Sequence, residues 1–147
     1  MNISFDLDDT IISTTRFSLE KRPFFAKLIR AERIRLGTID LFKALRARKH
    51  KIYIYTTSYR SVLKIKLMFL SHSIPVDFVV NQQMHEKKVK NKGKNVSKLP
   101  SAFDINIHID DSTGVEMEGK EFGFKTIIIS VSDTDWVNTI LKKIDEF

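Results

Sequence analysis

The sequence predicts an α/β protein in which helices cover both faces of a doubly wound, Rossmann-like sheet of five parallel strands. Five short runs are apolar and mostly β-branched along their whole length, which is typical of strands buried on both faces. Helical patterns alternate with these runs, and this alternation favours parallel strands joined by crossover helices. The chain has 147 residues, of which 42% are hydrophobic, so it can bury one core. We therefore expect a single domain over residues 1–147.

The elements follow one another in a regular order. The predicted strands span residues 3–7, 52–56, 76–80, 105–109 and 126–129. The clearest helical patterns, with apolar residues three or four apart, span residues 38–49, 60–72 and 133–147. Gly37 is placed to end a preceding helix, Thr38 to cap the next one, and Asp133 to cap the last.

Two segments lie outside this alternation, at residues 13–36 and 81–99. Residues 13–36 are rich in arginine, with Pro23 near the start of an expected extra helix. The segment is too short for a full cap domain, so we interpret it as a small helical flap inserted after the first strand. Such a flap would leave the edge of the sheet open, which suits a macromolecular substrate or requires an oligomeric neighbour to exclude water.

Composition limits the class of protein. There is no cysteine, which excludes disulfides and thiolate metal sites and fits a reducing cytoplasm. The chain has no run of about 18 apolar residues and no signal-like start, so we expect a cytoplasmic protein without a membrane span. A formal charge of +7 favours anionic partners, either nucleic acid or a phosphorylated small molecule.

Polar side chains follow three of the predicted strands. Asp6 and Asp8 close the first strand, Thr56 closes the second, and Asp110 and Asp111 close the fourth. Ligands of open α/β sheets bind beyond the carboxyl ends of the strands. One site would collect these residues if the first strand lay between the second and the fourth. Four converging carboxylates require a cation, and hard oxygen ligands suit Mg²⁺.

Four stretches together resemble the signatures of the haloacid dehalogenase-like (HAD) phosphatases, in their small capless form. They are, in chain order, "DLDDT" at 6–10, "IYTTS" at 54–58, the lysine-bearing "GKNVSKL" at 93–99 and the acidic "IHIDDS" at 107–112. The order and spacing match as well as the residues, and the resemblance covers nearly the full chain.

The resemblance implies hydrolysis of phosphomonoesters in two steps. Asp6 would attack phosphorus to form an aspartyl-phosphate, and Asp8 would act first as general acid and then as general base. Thr56 would hydrogen-bond a phosphoryl oxygen, and Lys94 would balance charge in the transition state. The Mg²⁺ ligands implied are Asp6, the backbone carbonyl of Asp8, Asp110 and Asp111. Other lysines lie near Lys94, so which lysine of residues 87–98 reaches the phosphate stays open.

Two alternatives come from other classes of protein. A phosphorylation-controlled receiver domain also combines aspartates, a threonine and a lysine, but it needs an acceptor aspartate after the third strand, where this chain has "FVVN". A non-catalytic module could bind phosphate or nucleic acid through basic segments. The basic segments are residues 30–35, with Arg46 and Arg48 beyond them, and residues 87–94. In an enzyme, the same segments could instead form a rim that binds phosphorylated nucleic-acid ends.

Several polar residues have structural interpretations. Asp9 and Thr10 are expected to order the loop after the first strand through local hydrogen bonds. His108 falls inside the fourth strand and is expected in the core or on a face of the sheet, whereas His85 is expected to be solvated. The substrate and the oligomeric state are not determined by the sequence.

Overall fold

The computed structural model describes residues 1–89 and 96–147, and within them it contains one five-stranded sheet in the order β3-β2-β1-β4-β5. All neighbouring strands are parallel. The strands are β1 (Asn2–Phe5), β2 (Lys51–Tyr55), β3 (Phe78–Val80), β4 (Ile107–Asp110) and β5 (Lys125–Ile128). The predicted fold class is confirmed, and β1 lies between β2 and β4 as a single site required.

Helices cover both faces of this sheet. They are α1 (Phe24–Leu28), α2 (Thr38–Ala47), α3 (Val62–Ser71), α4 (Gln82–Val89), α5 (Thr113–Phe122) and α6 (Trp136–Asp145), with a short 3₁₀ helix at Pro100–Phe103. One core contains Phe5 of β1 packed against Phe42 of α2, with ring centroids 5.0 Å apart. On the other face Tyr55 of β2 packs against Phe103, with centroids 5.4 Å apart. Alternating residues of the strands thus supply two separate cores.

The helix boundaries differ from the sequence prediction at three places. The extra helix expected within residues 13–36 is reduced to the five residues of α1. Gly37 ends no helix: it is the N-cap residue of α2, with a left-handed φ of 93° that favours glycine, and Thr38 is the first helical residue. Asp135 is the N-cap residue of the last helix, and the carboxylate of Asp133 accepts hydrogen bonds from Asp135 N and Thr139 Oγ1.

Arg35 fixes the end of the 13–36 segment to the body of the protein. Its side chain is buried, and its guanidinium lies 4.6 Å from the ring centroids of both Phe17 and Trp136. It donates hydrogen bonds to the backbone carbonyls of Ser130 at 3.0 Å and Asp133 at 2.8 Å. The flap is therefore anchored by an internal arginine instead of by a long helix.

No helix in the described part of the chain has the length and apolar character needed to cross a bilayer.

Candidate active site

Asp6 lies at the carboxyl end of β1, where it continues the parallel pairing with β4. Its backbone N–H donates to Ile109 O at 2.8 Å, and its side chain is buried at 7% exposure. Asp8 lies two residues further along the chain and is exposed. The loop that contains it is closed by two backbone hydrogen bonds, one from Asp9 N to Ile12 O and one from Ile12 N to Leu7 O. The two acids predicted from the first strand thus have different environments.

Asp110 and Asp111 end the adjacent strand β4 and complete an acidic cluster with Asp6. One carboxylate oxygen of each of the three residues lies within 4.8 Å of the others. Asp110 is buried and Asp111 is half-buried. Carboxylate oxygens at this separation are the ligand type that Mg²⁺ prefers, and three buried or half-buried acids in one place favour a divalent cation. The cluster could therefore hold a metal ion.

Lys98 connects two members of this cluster. Its Nζ donates to Asp6 Oδ1 at 2.5 Å and to Asp110 Oδ2 at 3.1 Å, and also to the carbonyl of Tyr55 at 3.0 Å. The side chain is only 3% exposed. One ammonium against three carboxylates leaves an excess of negative charge, which is consistent with a site for an additional cation.

The pKa values reflect this combination of burial and charge. Burial raises the pKa of Asp6 to about 7, although the Lys98 ammonium acts in the opposite direction. Burial also raises the pKa of Asp111, and the neighbouring Asp110 carboxylate adds to the increase. Burial alone would raise the pKa of Asp110 and lower that of Lys98. Hydrogen bonding from His108 and the Lys98 charge instead hold the pKa of Asp110 low, while the two carboxylates raise the pKa of Lys98.

His108 supports Asp110 from inside the sheet. It is fully buried, as predicted, and its Nε2 lies 3.0 Å from Asp110 Oδ2 while its Nδ1 lies 2.7 Å from Ser4 Oγ. Burial, with the nearby Lys98 charge, lowers the pKa of His108 to about 4. The neutral ring therefore donates from Nε2 to the carboxylate and accepts from the serine hydroxyl.

Thr56 and Thr10 belong to the same edge of the sheet. Thr56 directly follows β2 and is buried, and its Oγ1 accepts a hydrogen bond from Ser58 N at 3.0 Å. Thr10 Oγ1 donates to Asp111 Oδ1 at 3.3 Å, a contact that joins the loop after β1 to the residue after β4 instead of the local hydrogen bond that we expected. Asp9 adopts a left-handed φ of 60° and pairs with Arg16 at 3.4 Å, so it too has a structural role.

Within the described residues, Lys98 is the lysine that contacts the acidic cluster, whereas the sequence favoured Lys94. Lys94 lies outside the described residues, and its predicted role is untested. Lys98, from the same "GKNVSKL" stretch, is the lysine in contact with Asp6. A signal was available in the sequence, because Lys98 is followed by the apolar Leu99 and comes two residues after the apolar Val96, whereas Lys94 lies in a polar run; both apolar residues are buried.

Sequence reasoning missed a second set of charges around Asp8. Arg60 Nη1 donates to Asp8 Oδ2 at 3.0 Å, and its other nitrogens form two bonds of 3.0 Å with the carboxylate of Glu32. Burial would lower the pKa of Arg60, but the bonds with Glu32 and Asp8 raise it above its usual value. Glu32 belongs to the segment inserted after β1, so this arginine connects the flap to Asp8.

Two further expectations are wrong. His85 is 5% exposed instead of solvated: its Nδ1 lies 2.5 Å from Tyr55 Oη and its Nε2 lies 3.1 Å from Val96 O.

Arg46 and Arg48 do not reach the active-site edge. Arg46 contacts Asp77, which precedes β3, and Arg48 pairs with Asp145 at the end of α6. Arg46 lies in the last turn of α2 and Arg48 is its C-cap residue, so both lie at the opposite end of the strands, where β2 begins.

No family model matches the chain, and no curated protein sequence matches it. Among solved structures, the one described as "Structure of Pnkp1/Rnl/Hen1 complex" contains a chain that superposes with a TM-score of 0.57 at 11% sequence identity. The likeness is one of fold alone. It covers 90% of this chain and 46% of the other, so this protein spans less than half the length of its structural neighbour.

Proposed function

We propose that the protein is a Mg²⁺-dependent phosphomonoester hydrolase of the HAD-like superfamily, in which Asp6 forms an aspartyl-phosphate. One observation carries the proposal: Asp6 is buried at the carboxyl end of β1, in contact with Lys98 and within one acidic cluster with Asp110 and Asp111. A structural ion pair would need only one acid for one lysine. The excess carboxylates fit a nucleophile and ligands for a metal ion.

The metal ion would be held by Asp6, Asp110 and Asp111, together with the backbone carbonyl of Asp8 that the family resemblance implies. When bound, it would lower the raised pKa of Asp6 and reduce the repulsion between this carboxylate and the phosphate.

The chain's own residues then perform two displacements. In the first, a carboxylate oxygen of Asp6 attacks phosphorus, the bond from phosphorus to the ester oxygen breaks, and Asp8 donates a proton to that oxygen. In the second, Asp8 accepts a proton from a water molecule that attacks the aspartyl-phosphate, which releases inorganic phosphate and restores Asp6. Arg60, held by Glu32, would position Asp8 for both transfers.

The remaining polar groups would stabilise the transferring phosphoryl group. Thr56 would donate a hydrogen bond to one of its oxygens, and Lys98 would compensate the negative charge that develops beside Asp6. We assign this role to Lys98 because its ammonium already contacts the nucleophile. The earlier assignment, Lys94, is the alternative.

Neither a receiver domain nor a non-catalytic binding module has comparable support. Receiver domains have the strand order 2-1-3-4-5, whereas this sheet has the order 3-2-1-4-5. The residue after β3 is Asn81, whose side chain is used structurally: it donates to Arg60 O and accepts from Met84 N. A binding module without catalysis would not require both a buried nucleophile and an acid held by Arg60.

A generic aryl phosphate, p-nitrophenyl phosphate, tests the proposal. We expect hydrolysis that depends on Mg²⁺ and that Asp6→Asn lowers by about three orders of magnitude or more, because the covalent nucleophile is lost. The matched control is Asp9→Asn, which changes an acid paired with Arg16 and should stay within about threefold of wild type. If Asp6→Asn retained a tenth of the wild-type rate, the proposed role of Asp6 would be wrong.

A further inference from the structure

Two open clefts on the flap lead away from Asp8. The first, of about 500 Å³, is lined by three acids, Asp8, Asp9 and Glu32, and by three arginines, Arg22, Arg33 and Arg60. The second, of about 660 Å³, is lined by the four basic residues Lys21, Arg22, Lys27 and Arg33. Arg22 and Arg33 line both clefts, so the two clefts are adjacent. We call the two together the basic cleft.

Four cations of this basic cleft, Lys21, Arg22, Lys27 and Arg33, form no ion pair within the described residues. Lys21, Arg22 and Lys27 are exposed. Arg33 is held in place by backbone carbonyls, since its guanidinium donates to Leu19 O and Glu20 O at 3.1–3.3 Å. By contrast, Arg16, Arg46, Arg48 and Arg60 each pair with a carboxylate. The flap therefore presents four cations whose counter-charge must come from outside these contacts.

An aromatic ring accompanies these charges. Phe24 on α1 is 76% exposed and lies one turn before Lys27, on the same side of the helix. Aromatic rings beside a basic groove are the feature on which single-stranded nucleic acids stack their bases. Phe25, the next residue, instead lines an apolar cavity with Leu67 and Leu70.

We propose that the basic cleft binds a single-stranded nucleic acid whose terminal phosphate is the group removed, an inference that rests on the proposed phosphatase function. Asp8 marks the side of the site where the leaving oxygen receives its proton, and the basic cleft begins at Asp8. The leaving group therefore lies along Arg22, Arg33 and Lys27. Its internal phosphates meet these cations, and a base stacks on Phe24. The bond broken joins phosphorus to the terminal oxygen, which leaves as a hydroxyl.

Substrates of increasing length test this inference. The values of kcat/KM are compared for p-nitrophenyl phosphate, thymidine monophosphate and a short oligothymidylate carrying its phosphate at the 3′ or the 5′ end. We expect the oligonucleotide to exceed the mononucleotide by about tenfold or more at low salt, because each additional phosphate contact releases counterions. This advantage should shrink steeply between about 50 mM and about 200 mM salt, whereas p-nitrophenyl phosphate should respond weakly.

Two triple variants that each remove three positive charges test whether the basic cleft is the surface that gives the oligonucleotide its advantage. The triple variant Lys21→Ala/Arg22→Ala/Lys27→Ala should lose most of the oligonucleotide advantage while its rate on p-nitrophenyl phosphate stays within about twofold of wild type. The control Lys43→Ala/Lys142→Ala/Lys143→Ala removes the same charge from exposed positions of α2 and α6 and should keep the advantage. Phe24→Ala should lower the advantage several-fold, and Phe25→Ala should not.

The outcomes separate the two proposals. Absence of hydrolysis with every substrate would refute the phosphatase function itself. Hydrolysis of p-nitrophenyl phosphate without an oligonucleotide advantage would refute only the basic cleft. Equal losses in the two triple variants would mean that net charge, and not this surface, attracts the strand. An acidic phosphopeptide that matched the oligonucleotide would show that the basic cleft binds anionic chains of another class.

Discussion

Lys98 is the residue on which the electrostatics of the site depend. It is held by two acids, Asp6 and Asp110, that are themselves buried, so removal of its charge leaves uncompensated carboxylates inside the protein. Breaking such a buried pair by deleting one partner costs about 3–5 kcal/mol, although the acids can lower the cost by taking up protons. Its role is therefore both structural and, under the proposed function, catalytic.

We predict that Lys98→Met lowers kcat on p-nitrophenyl phosphate by at least about a hundredfold and also lowers the free energy of unfolding. Activity assays and urea unfolding of the same preparations would measure both. Lys94→Met, which makes the same change at the lysine favoured by sequence, should leave both quantities near wild type. The reverse ranking of the two variants would return the phosphate-facing role to Lys94.

His85, which lies outside the acidic cluster, makes the free energy of unfolding depend on pH. Burial, more than any other influence, lowers its pKa below the usual 6.5. The unfolded chain therefore takes up the proton more readily than the folded one, and the free energy of unfolding falls as the pH decreases below about 6.5. Above that pH the histidine is neutral in both states and contributes no slope.

We predict that His85→Gln removes part of this loss, at most about 1.4 kcal/mol between about pH 7.5 and about pH 5.5. Glutamine can still donate a hydrogen bond to Val96 O, but it cannot take up a proton. Urea unfolding at the two pH values measures the difference. If the wild type and the variant lost the same free energy, protonation of His85 would not be coupled to folding.

The acids of the site could be predicted from sequence, whereas their partners could not. Asp6 and Asp110 each follow a buried apolar strand, and the carboxyl ends of parallel strands meet at one edge. Arg60 and Glu32 are 28 residues apart and their pairing depends on how the flap folds back onto α3. Single-sequence patterns carry no information on such a contact, because a charged residue in a loop looks the same whether it is paired or solvated.

At the scale of elements, the backbone of α5 packs against the start of β5 more closely than the short loop between them requires. A Cβ added at Gly119 would lie 2.9 Å from Phe124 O and 2.9 Å from Thr126 Cγ2, so the helix approaches the strand through this glycine. The backbone oxygen cannot move without disturbing the start of β5. The sequence "EMEGKEFGF" alone would have indicated only a weakened helix.

We predict that Gly119→Ala destabilises the protein by about 1–3 kcal/mol, even though alanine is the better helix former. Gly114→Ala in the first turn of the same helix is the control. There the new Cβ would lie 3.3 Å from the Ser112 hydroxyl, which can rotate away, so stability should stay equal or rise by up to about 1 kcal/mol. Similar effects of both substitutions in urea unfolding would contradict the close approach at Gly119.

The flap shows why some elements resist prediction. The strands were predicted to within about two residues, because a continuous apolar run has few other uses in a small α/β protein. Residues 13–36 have no such pattern. Their conformation depends on Arg35, which is inserted between Phe17 and Trp136 and hydrogen-bonded to carbonyls near residue 130. Its partners lie about 95 residues away in the chain, so the arginine could be taken for part of a basic surface.

At the scale of the whole molecule, the sheet order unites segments from both ends of the chain in one acidic cluster. Asp6 directly follows β1, while Asp110 is the last residue of β4 and Asp111 comes directly after it, about a hundred residues later. An ion bound by all three residues would therefore connect the two central strands. Because the cluster exists only in the folded state, binding of the ion adds to the stability of the entire fold.

We predict that Mg²⁺ raises the melting temperature of the wild-type protein. An ion at about a hundred times its dissociation constant adds about 2.7 kcal/mol, which corresponds to several degrees for a domain of this size. Asp110→Asn should abolish the shift, because it removes a charged ligand at the centre of the cluster. Asp104→Asn makes the same change at an exposed acid before β4 and should retain the shift. A thermal shift of equal size in both variants would place the bound ion elsewhere in the protein. No shift in the wild type at any Mg²⁺ concentration would mean that the three acids do not form a stable metal site without substrate.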